Sequence, residues 1–198
     1  MKTSRFKGRR LGRIHWWAYV IACSVCLGLW CGFCLVSRAD GSLTVLQVKA
    51  LFLLNFIKYV DWPPNAFAGS NTNVTIGLYG ESKLGEALRT AVAGKAVGGR
   101  TIVIRQIDGT DDFSPCHVLF ISDSESSRMR GILDKASPLP ILTVGEDEAF
   151  AQNGGIINFV LKNGNVRLEI DLAAARKAGL TIHSRLLAVA DMVKGKAN

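Results

Sequence analysis

The sequence predicts a single α/β domain: a mainly parallel sheet flanked by helices, with a C-terminal β-hairpin and helices. Between residues 74 and 152, short apolar segments of strand length alternate with helical segments, a pattern typical of a parallel sheet covered on both faces. Further on, two strand-like segments flank Asn163-Gly164, which is a strong signal for a two-residue hairpin turn. The segment 40–198 is long enough for one domain with its own core.

The first 39 residues have the three parts of a signal peptide. Six basic residues and no acidic ones lie in residues 2–13, residues 16–36 are apolar, and Ser37-Arg38-Ala39 suits a signal peptidase. We expect cleavage near Ala39, so that 1–39 is a signal peptide and 40–198 the α/β domain. The apolar run is also long enough to span a bilayer, and an uncleaved anchor is the alternative. Both interpretations predict a periplasmic location for residues 40–198.

Removing this segment changes the charge and cysteine arguments. The chain has 24 basic and 16 acidic residues and a net charge of +8, but the basic excess lies mostly in residues 1–39, so we expect no nucleic-acid partner. The cysteines of the apolar run form two CxxC pairs without polar support, which argues against a metal site. Cys116 is the one cysteine left in residues 40–198, so no disulfide is expected within the domain, and we predict that Cys116 is buried. A covalent dimer through Cys116 is the alternative.

The first element of the domain is an apolar helix that spans KALFLLNFIKYVDWP at 49–63. On a helical projection its few polar residues fall on one narrow stripe, so the helix should lie in a core. Two prolines end it. Lys49 projects opposite the polar stripe; we favour a side chain that reaches out to water, with a buried ion pair or a ligand contact as the alternative. The stripe consists of Gln47, Asn55, Lys58 and Asp61. The segment also carries a structural motif that consists of Lys49, Phe52, Asn55, Trp62 and Pro63.

The later elements follow in order from short periodic patterns. Strands are predicted at 74–79, 101–104, 118–121 and 141–144, and helices at about 82–92, 126–135 and 146–152. The hairpin strands are 156–162 and 165–170, followed by a helix at 172–177 that Gly179 ends. A final helix at 182–193 should bury Ile182, Leu186, Val189, Ala190 and Val193 on one face. Gly154 and Gly155, before the hairpin, should supply a positive φ or a close backbone approach.

Residues that carry chemistry are scarce. No nucleophile is paired with a base and no metal-ligand set has the right spacing, so we expect a protein that is not an enzyme and has no cofactor. His117 should be a satisfied residue at a strand edge, and His183 should lie on the rim of the last helix. The acidic run at 146–148 is interpreted as solvated charge. Gly80 and Gly85 are best explained by a strand-to-helix turn capped by Ser82.

The quoted segments resemble the YfiR family of periplasmic proteins over about residues 46–193. Their order and spacing carry the resemblance: KALFLLNFIKYVDWP at 49–63, VTIGLYG at 74–80, VGGRTIVI at 97–104, CHVLFIS at 116–122, PILTVGE at 140–146 and the segment 150–190. The resemblance implies an inhibitor that binds the periplasmic sensor region of an inner-membrane diguanylate cyclase and lowers cyclic-di-GMP synthesis, and with it biofilm formation. It also implies that another envelope protein, an outer-membrane lipoprotein, sequesters the inhibitor, and that a homodimer forms.

Two departures from the family pattern are visible. Related members carry cysteine pairs, whereas Gly77 and Leu78 lie where a partner for Cys116 might be sought, so a redox role is not expected. Asp171 stands where the family has asparagine, and it can still cap the next helix.

An inhibitor of this kind needs a few exposed anchors on a rigid base. The partner-contact candidates are Phe159, Glu169 and His183. A core aromatic is the alternative for Phe159, and Glu169 should point to solvent. A second hypothesis is a periplasmic small-molecule sensor, whose crevice would be lined by the loops at Gly80 and Gly145.

Overall fold

The computed structural model describes residues 43–67, 73–109 and 112–193, so the predicted signal peptide lies outside the described residues. Helix α1 (Val45–Tyr59) begins at a capping box: the Thr44 hydroxyl accepts a hydrogen bond from the Gln47 amide, and the Gln47 side chain accepts one from the Thr44 amide. The apolar face of α1 is buried at Ala50, Leu53, Leu54, Phe56 and Ile57. Gln47, Asn55 and Lys58 of the predicted polar stripe are exposed. In the described part of the chain, no helix combines the length and apolar character needed to cross a bilayer.

Along the described parts of the chain, the strands are β1 (Val60–Asp61), β2 (Val74–Tyr79), β3 (Ala96–Val97), β4 (Arg100–Ile107), β5 (Val118–Ile121), β6 (Leu142–Gly145), β7 (Ile157–Lys162), β8 (Asn165–Asp171), β9 (Thr181–Ile182) and β10 (Ala190–Val193). Within the described residues, eight of them form one sheet in the order β10-β8-β7-β6-β5-β2-β4-β3. The neighbours from β4 through β7 are parallel, β8 and β10 are parallel to each other, and β3–β4 and β7–β8 are antiparallel. The predicted α/β fold with a mainly parallel sheet is confirmed.

Both faces of the sheet are covered, as the apolar strands predict. Successive side chains of β5 alternate between two cores: Val118 and Phe120 pack with α1, whereas Leu119 and Ile121 pack with Met129 on the other side. The remaining helices are α2 (Leu84–Val92), α3 (Met129–Ala136), α4 (Leu172–Lys177) and α5 (Ser184–Leu187). The short strands β1 and β9 pair separately and antiparallel, which joins the end of α1 to the C-terminal segment.

The hairpin prediction is confirmed in detail. Lys162 and Asn165 close the β7–β8 ladder, and Asn163 and Gly164 between them have φ values of 53° and 76°. Positive φ at both central residues is the requirement of a type I′ turn, which Asn-Gly meets at little cost.

Two predicted helices are wrong. The segment 182–193 forms the end of β9, then α5 and β10, and Val189 is exposed instead of buried, although Ile182 and Leu186 are buried as expected. Here the backbone of β10 pairs with β8, a partner distant in sequence. In 146–152, only a short 3₁₀ turn at Ala151–Asn153 forms.

Candidate functional site

Lys49, in the second turn of α1, forms a buried ion pair. Lys49 is only 7% exposed, and its ammonium forms an ion pair and hydrogen bond with Glu146, the residue that directly follows β6. The ammonium also lies 5.8 Å from the centre of the Phe159 ring, within the range of a cation–π contact. The favoured prediction of a water-exposed Lys49 is therefore wrong, and the buried ion pair is correct. The interpretation of Glu146 as solvated charge is wrong for the same reason.

Phe159 belongs to the core beneath that ion pair. Its ring packs against Phe52 and Phe56 with centroids 6.2 and 5.9 Å away, and the residue is 3% exposed. A side chain buried in this way offers no surface anchor to a partner. The structure thus corrects the choice of Phe159 as a contact residue and supports the alternative of a core aromatic on the hairpin.

The Trp-Pro segment is fixed by a buried histidine. It follows β1 and not the helix, because α1 ends at Tyr59, before the predicted Trp-Pro stop. The Trp62 indole donates a hydrogen bond to the His117 carbonyl (3.3 Å), and the His117 ring stacks on Phe67. His117 Nδ1 accepts from the Thr75 amide (3.1 Å), so the proton lies on Nε2, which donates to a backbone carbonyl. Burial lowers the pKa of His117. His117 is satisfied and directly precedes the apolar strand β5, as predicted.

The two glycines before the hairpin perform both predicted functions. Gly154 has a φ of 93°, and Gly155 lies against the ring of Phe150 so closely that a Cβ there would be 2.1 Å from a ring carbon. A Cβ on Gly145 would also lie 2.1 Å from a ring carbon of Phe150, on the opposite edge of the ring. Phe150 therefore sits in a slot between two glycine backbones. No room exists in this slot for a larger residue at either position.

The small-molecule hypothesis placed a ligand crevice at the loops of Gly80 and Gly145, but side chains of the protein itself fill the space at both loops. Phe150 fills the space beside Gly145, and Ser124 and Glu125 fill the space beside Gly80, where a Cβ would lie 2.6 Å from Glu125 Cγ. The strand-end loops thus pack against the chain's own side chains, which leaves this location without support as a ligand site.

Cys116 is buried, as predicted. A Cβ on Gly77 in the adjacent strand would lie 2.9 Å from the Cys116 sulfur. Glycine at this position therefore leaves the room that the thiol occupies. Asp171 caps α4, because its carboxylate accepts hydrogen bonds from the Ala173 and Ala174 amides.

Among the described residues, an exposed surface at one end of the sheet is a docking candidate, and we call it the edge patch. It lies where β7, β8 and the end strand β10 meet, and it comprises Leu161, Lys162, Glu169, Val189, Asp191 and Met192. The three apolar members are each more than half exposed. Side chains alternate along strands, so Leu161 and Met192 lie on one face of the sheet, while Lys162 and Asp191 lie on the other.

Charge on the edge patch is arranged around one lysine. Lys162 Nζ is 2.9 Å from an Asp191 oxygen and 3.9 Å from a Glu169 oxygen. The hydrogen bond with Asp191 raises the pKa of Lys162 and lowers the pKa of Asp191. Glu169 is partly covered by this lysine, so it is less exposed than predicted. Among the described residues β10 pairs only with β8, and a free strand edge can accept another chain.

His183 lies elsewhere. It precedes α5, its amide donates to the Tyr59 carbonyl, and its Nε2 is 2.8 Å from an Asp61 carboxylate oxygen. The predicted position on the rim of a long helix is therefore wrong. The structure brings Glu169 into the edge patch but places His183 in a separate pair that joins β1 to the β9–α5 junction.

Sequence reasoning missed most of the edge patch. Lys162 stands next to the hairpin turn, but Asp191 and Met192 fell in the predicted last helix, where their neighbours were unknown. The one available signal was the short Ala190–Val193 segment, whose alternation is too brief to separate strand from helix.

Comparisons with known proteins agree with the fold. A family model described as YfiR/HmsC-like matches residues 46–191. A solved structure of a conserved domain protein from Vibrio cholerae O1 biovar El Tor strain N16961 is similar, with a TM-score of 0.54 and 16% identity. The alignment covers 77% of this chain but 61% of that one, less than two thirds of its length, so the likeness concerns the fold alone. No curated protein matches the chain.

Proposed function

Because the chain belongs to the YfiR/HmsC-like family, whose members are generally periplasmic regulators of diguanylate cyclases and not catalysts, we propose that it represses one inner-membrane diguanylate cyclase by binding that enzyme's periplasmic sensor region. The observation that carries this proposal is the family match over residues 46–191. That range includes α1, the whole sheet up to Asp191, and most of the edge patch.

We place the cyclase contact on the edge patch. The edge patch wraps around the free edge of the sheet, with the exposed side chains of Leu161 and Met192 on one face and the charged network on the other. A specific interface needs both kinds of group, since buried apolar anchors supply most of the affinity and charges set the partner's orientation. The outer edge of β10 adds backbone hydrogen-bonding groups that an extended segment of the partner can pair with. The patch stands on a well-packed hairpin whose inner face holds Phe159 and Leu168 in the core.

In this proposal, the cyclase is inhibited while the protein is bound to its sensor region. A rigid body bound to the sensor region stabilises whichever sensor conformation it fits, and it holds the cyclase inactive only to the extent that it binds that conformation more tightly. Binding of the same patch by an outer-membrane lipoprotein would release the enzyme. Export with cleavage near Ala39, a homodimer and control of biofilm formation are part of the same proposal.

Affinity capture from membranes tests the contact. Epitope-tagged protein should co-purify with a membrane protein that contains a diguanylate cyclase domain, and Met192→Glu should reduce the recovery at least about tenfold, because it places a charge in an apolar contact. Val103→Glu is the matched control, since Val103 is also an exposed apolar strand residue but lies on β4, near the opposite end of the sheet.

The control variant should capture the cyclase as well as the wild-type protein does. Equal loss of capture in both variants would refute the edge patch as the docking surface. Failure of the wild-type protein to capture any cyclase would refute the proposed function.

A further inference from the structure

An open groove runs along α1 on the side away from the edge patch. It encloses about 320 Å³ between α1 and the β3–β4 ribbon. Its floor is apolar: Leu54 and Ile102 are buried there, and Leu51 and Val97 are half-buried. Leu51, Leu54 and Lys58 are spaced three and four residues apart, so they share one face of the helix.

The rim of this groove carries two lysine side chains that form no ion pair with any residue the structure describes. Lys58, from the last turn of α1, and Lys95, which precedes β3, both line the groove and are exposed. Within the described residues, neither ammonium group forms a hydrogen bond or an ion pair, although the Lys95 backbone amide donates to the Val92 carbonyl. The carboxylate closest to Lys58 in sequence, Asp61, bonds to His183 instead. The exposed Asn55 amide, also on the rim, can donate further hydrogen bonds.

We propose that this groove binds a small organic anion: a carboxylate attached to a short unbranched or lightly branched apolar chain. The two ammonium groups would hold the carboxylate, and the leucines and Ile102 would cover the apolar chain. The volume lies at the low end of the range for ligand sites, so a compact ligand fits better than a polymer. Because the groove and the edge patch share no residue, this inference does not depend on the proposed cyclase contact.

Three probes that differ in one property each test the proposal. Octanoate, below its micelle concentration, has the anionic head and the apolar chain; octyl glucoside keeps the chain without the charge; acetate keeps the charge without the chain. Titrations of the isotope-labelled protein, followed by NMR of side-chain methyl groups, should show saturable octanoate binding at Leu51, Leu54 and Val97. Neither octyl glucoside nor acetate should saturate these signals.

Substitution of the rim lysines identifies the charge effect. The double variant Lys58→Gln/Lys95→Gln should bind octanoate at least about tenfold more weakly, as expected from the loss of hydrogen bonds to a charged group. The variant Lys58→Arg/Lys95→Arg should retain binding. Lys177→Gln, an exposed lysine in the last turn of α4, is the control and should bind like the wild type.

Three results would overturn the proposal: no saturable octanoate binding, equally strong binding of octyl glucoside, or unchanged affinity in the Lys58→Gln/Lys95→Gln variant. Unchanged circular dichroism of that variant shows that its fold is intact, which separates loss of the site from loss of structure.

Discussion

Breaking the Lys49–Glu146 ion pair from one side should destabilise the protein strongly. The two side chains are only 9% and 16% exposed, so Glu146→Gln leaves an ammonium group in a nearly dry environment. Removal of one member of a buried ion pair typically costs about 3–5 kcal/mol. We therefore expect a loss of about 3 kcal/mol in the free energy of unfolding.

Urea denaturation of four variants measures this effect. Glu146→Gln and Lys49→Met should each lower the transition midpoint, whereas Lys49→Met/Glu146→Leu should recover most of the stability, because a buried pair can often be replaced by apolar residues at little cost. Arg130→Met is the control: Arg130 and Asp134 form an exposed ion pair at 3.9 Å, and such pairs contribute less than about 1 kcal/mol.

A Glu146→Gln variant that loses no more stability than Arg130→Met would contradict the reasoning. It would mean that Lys49 reaches water in solution, as the sequence alone suggested. A double variant as unstable as the single ones would show that apolar residues cannot fill the site.

Three further predictions concern stability. Gly155→Ala should cost about 1–3 kcal/mol in urea denaturation because its Cβ meets the Phe150 ring, whereas Gly131→Ala, in an open position on α3, should gain about 0.5–1 kcal/mol. Burial lowers the pKa of His117, so the unfolded chain binds a proton at this residue more readily than the folded chain does. The free energy of unfolding should therefore fall as the pH drops below about 6.5 and through the lower pKa of the folded state. His117→Gln should flatten this part of a curve of stability against pH. Asp171→Ala should lower thermal stability by about 1 kcal/mol through loss of the α4 cap, and Asp171→Asn should retain most of it.

Local patterns predicted the elements that local physics decides. The Asn163-Gly164 turn, the apolar face of α1 and the strand at 118–121 needed no knowledge of distant residues. In each of these the backbone preference and the apolar period agree, so the sequence alone was sufficient.

The failures have a common physical cause, which is pairing over long sequence separation. Lys49 meets a carboxylate 97 positions away, and no helical projection can show that contact. The segment 182–193 has apolar residues at helical spacing, yet the ladder with β8 at Ala190–Val193 overrides that preference. Because Asp191 was assigned to the wrong element, its contact with Lys162 and the edge patch as a whole could not be predicted.

The central claim is that this chain restrains a cyclase by docking. Its most direct test is the cellular concentration of cyclic-di-GMP, measured by mass spectrometry in a strain that lacks the protein and is then complemented. The account predicts a rise on deletion, which the wild-type and Val103→Glu proteins reverse and the Met192→Glu protein does not. An unchanged concentration on deletion would contradict it.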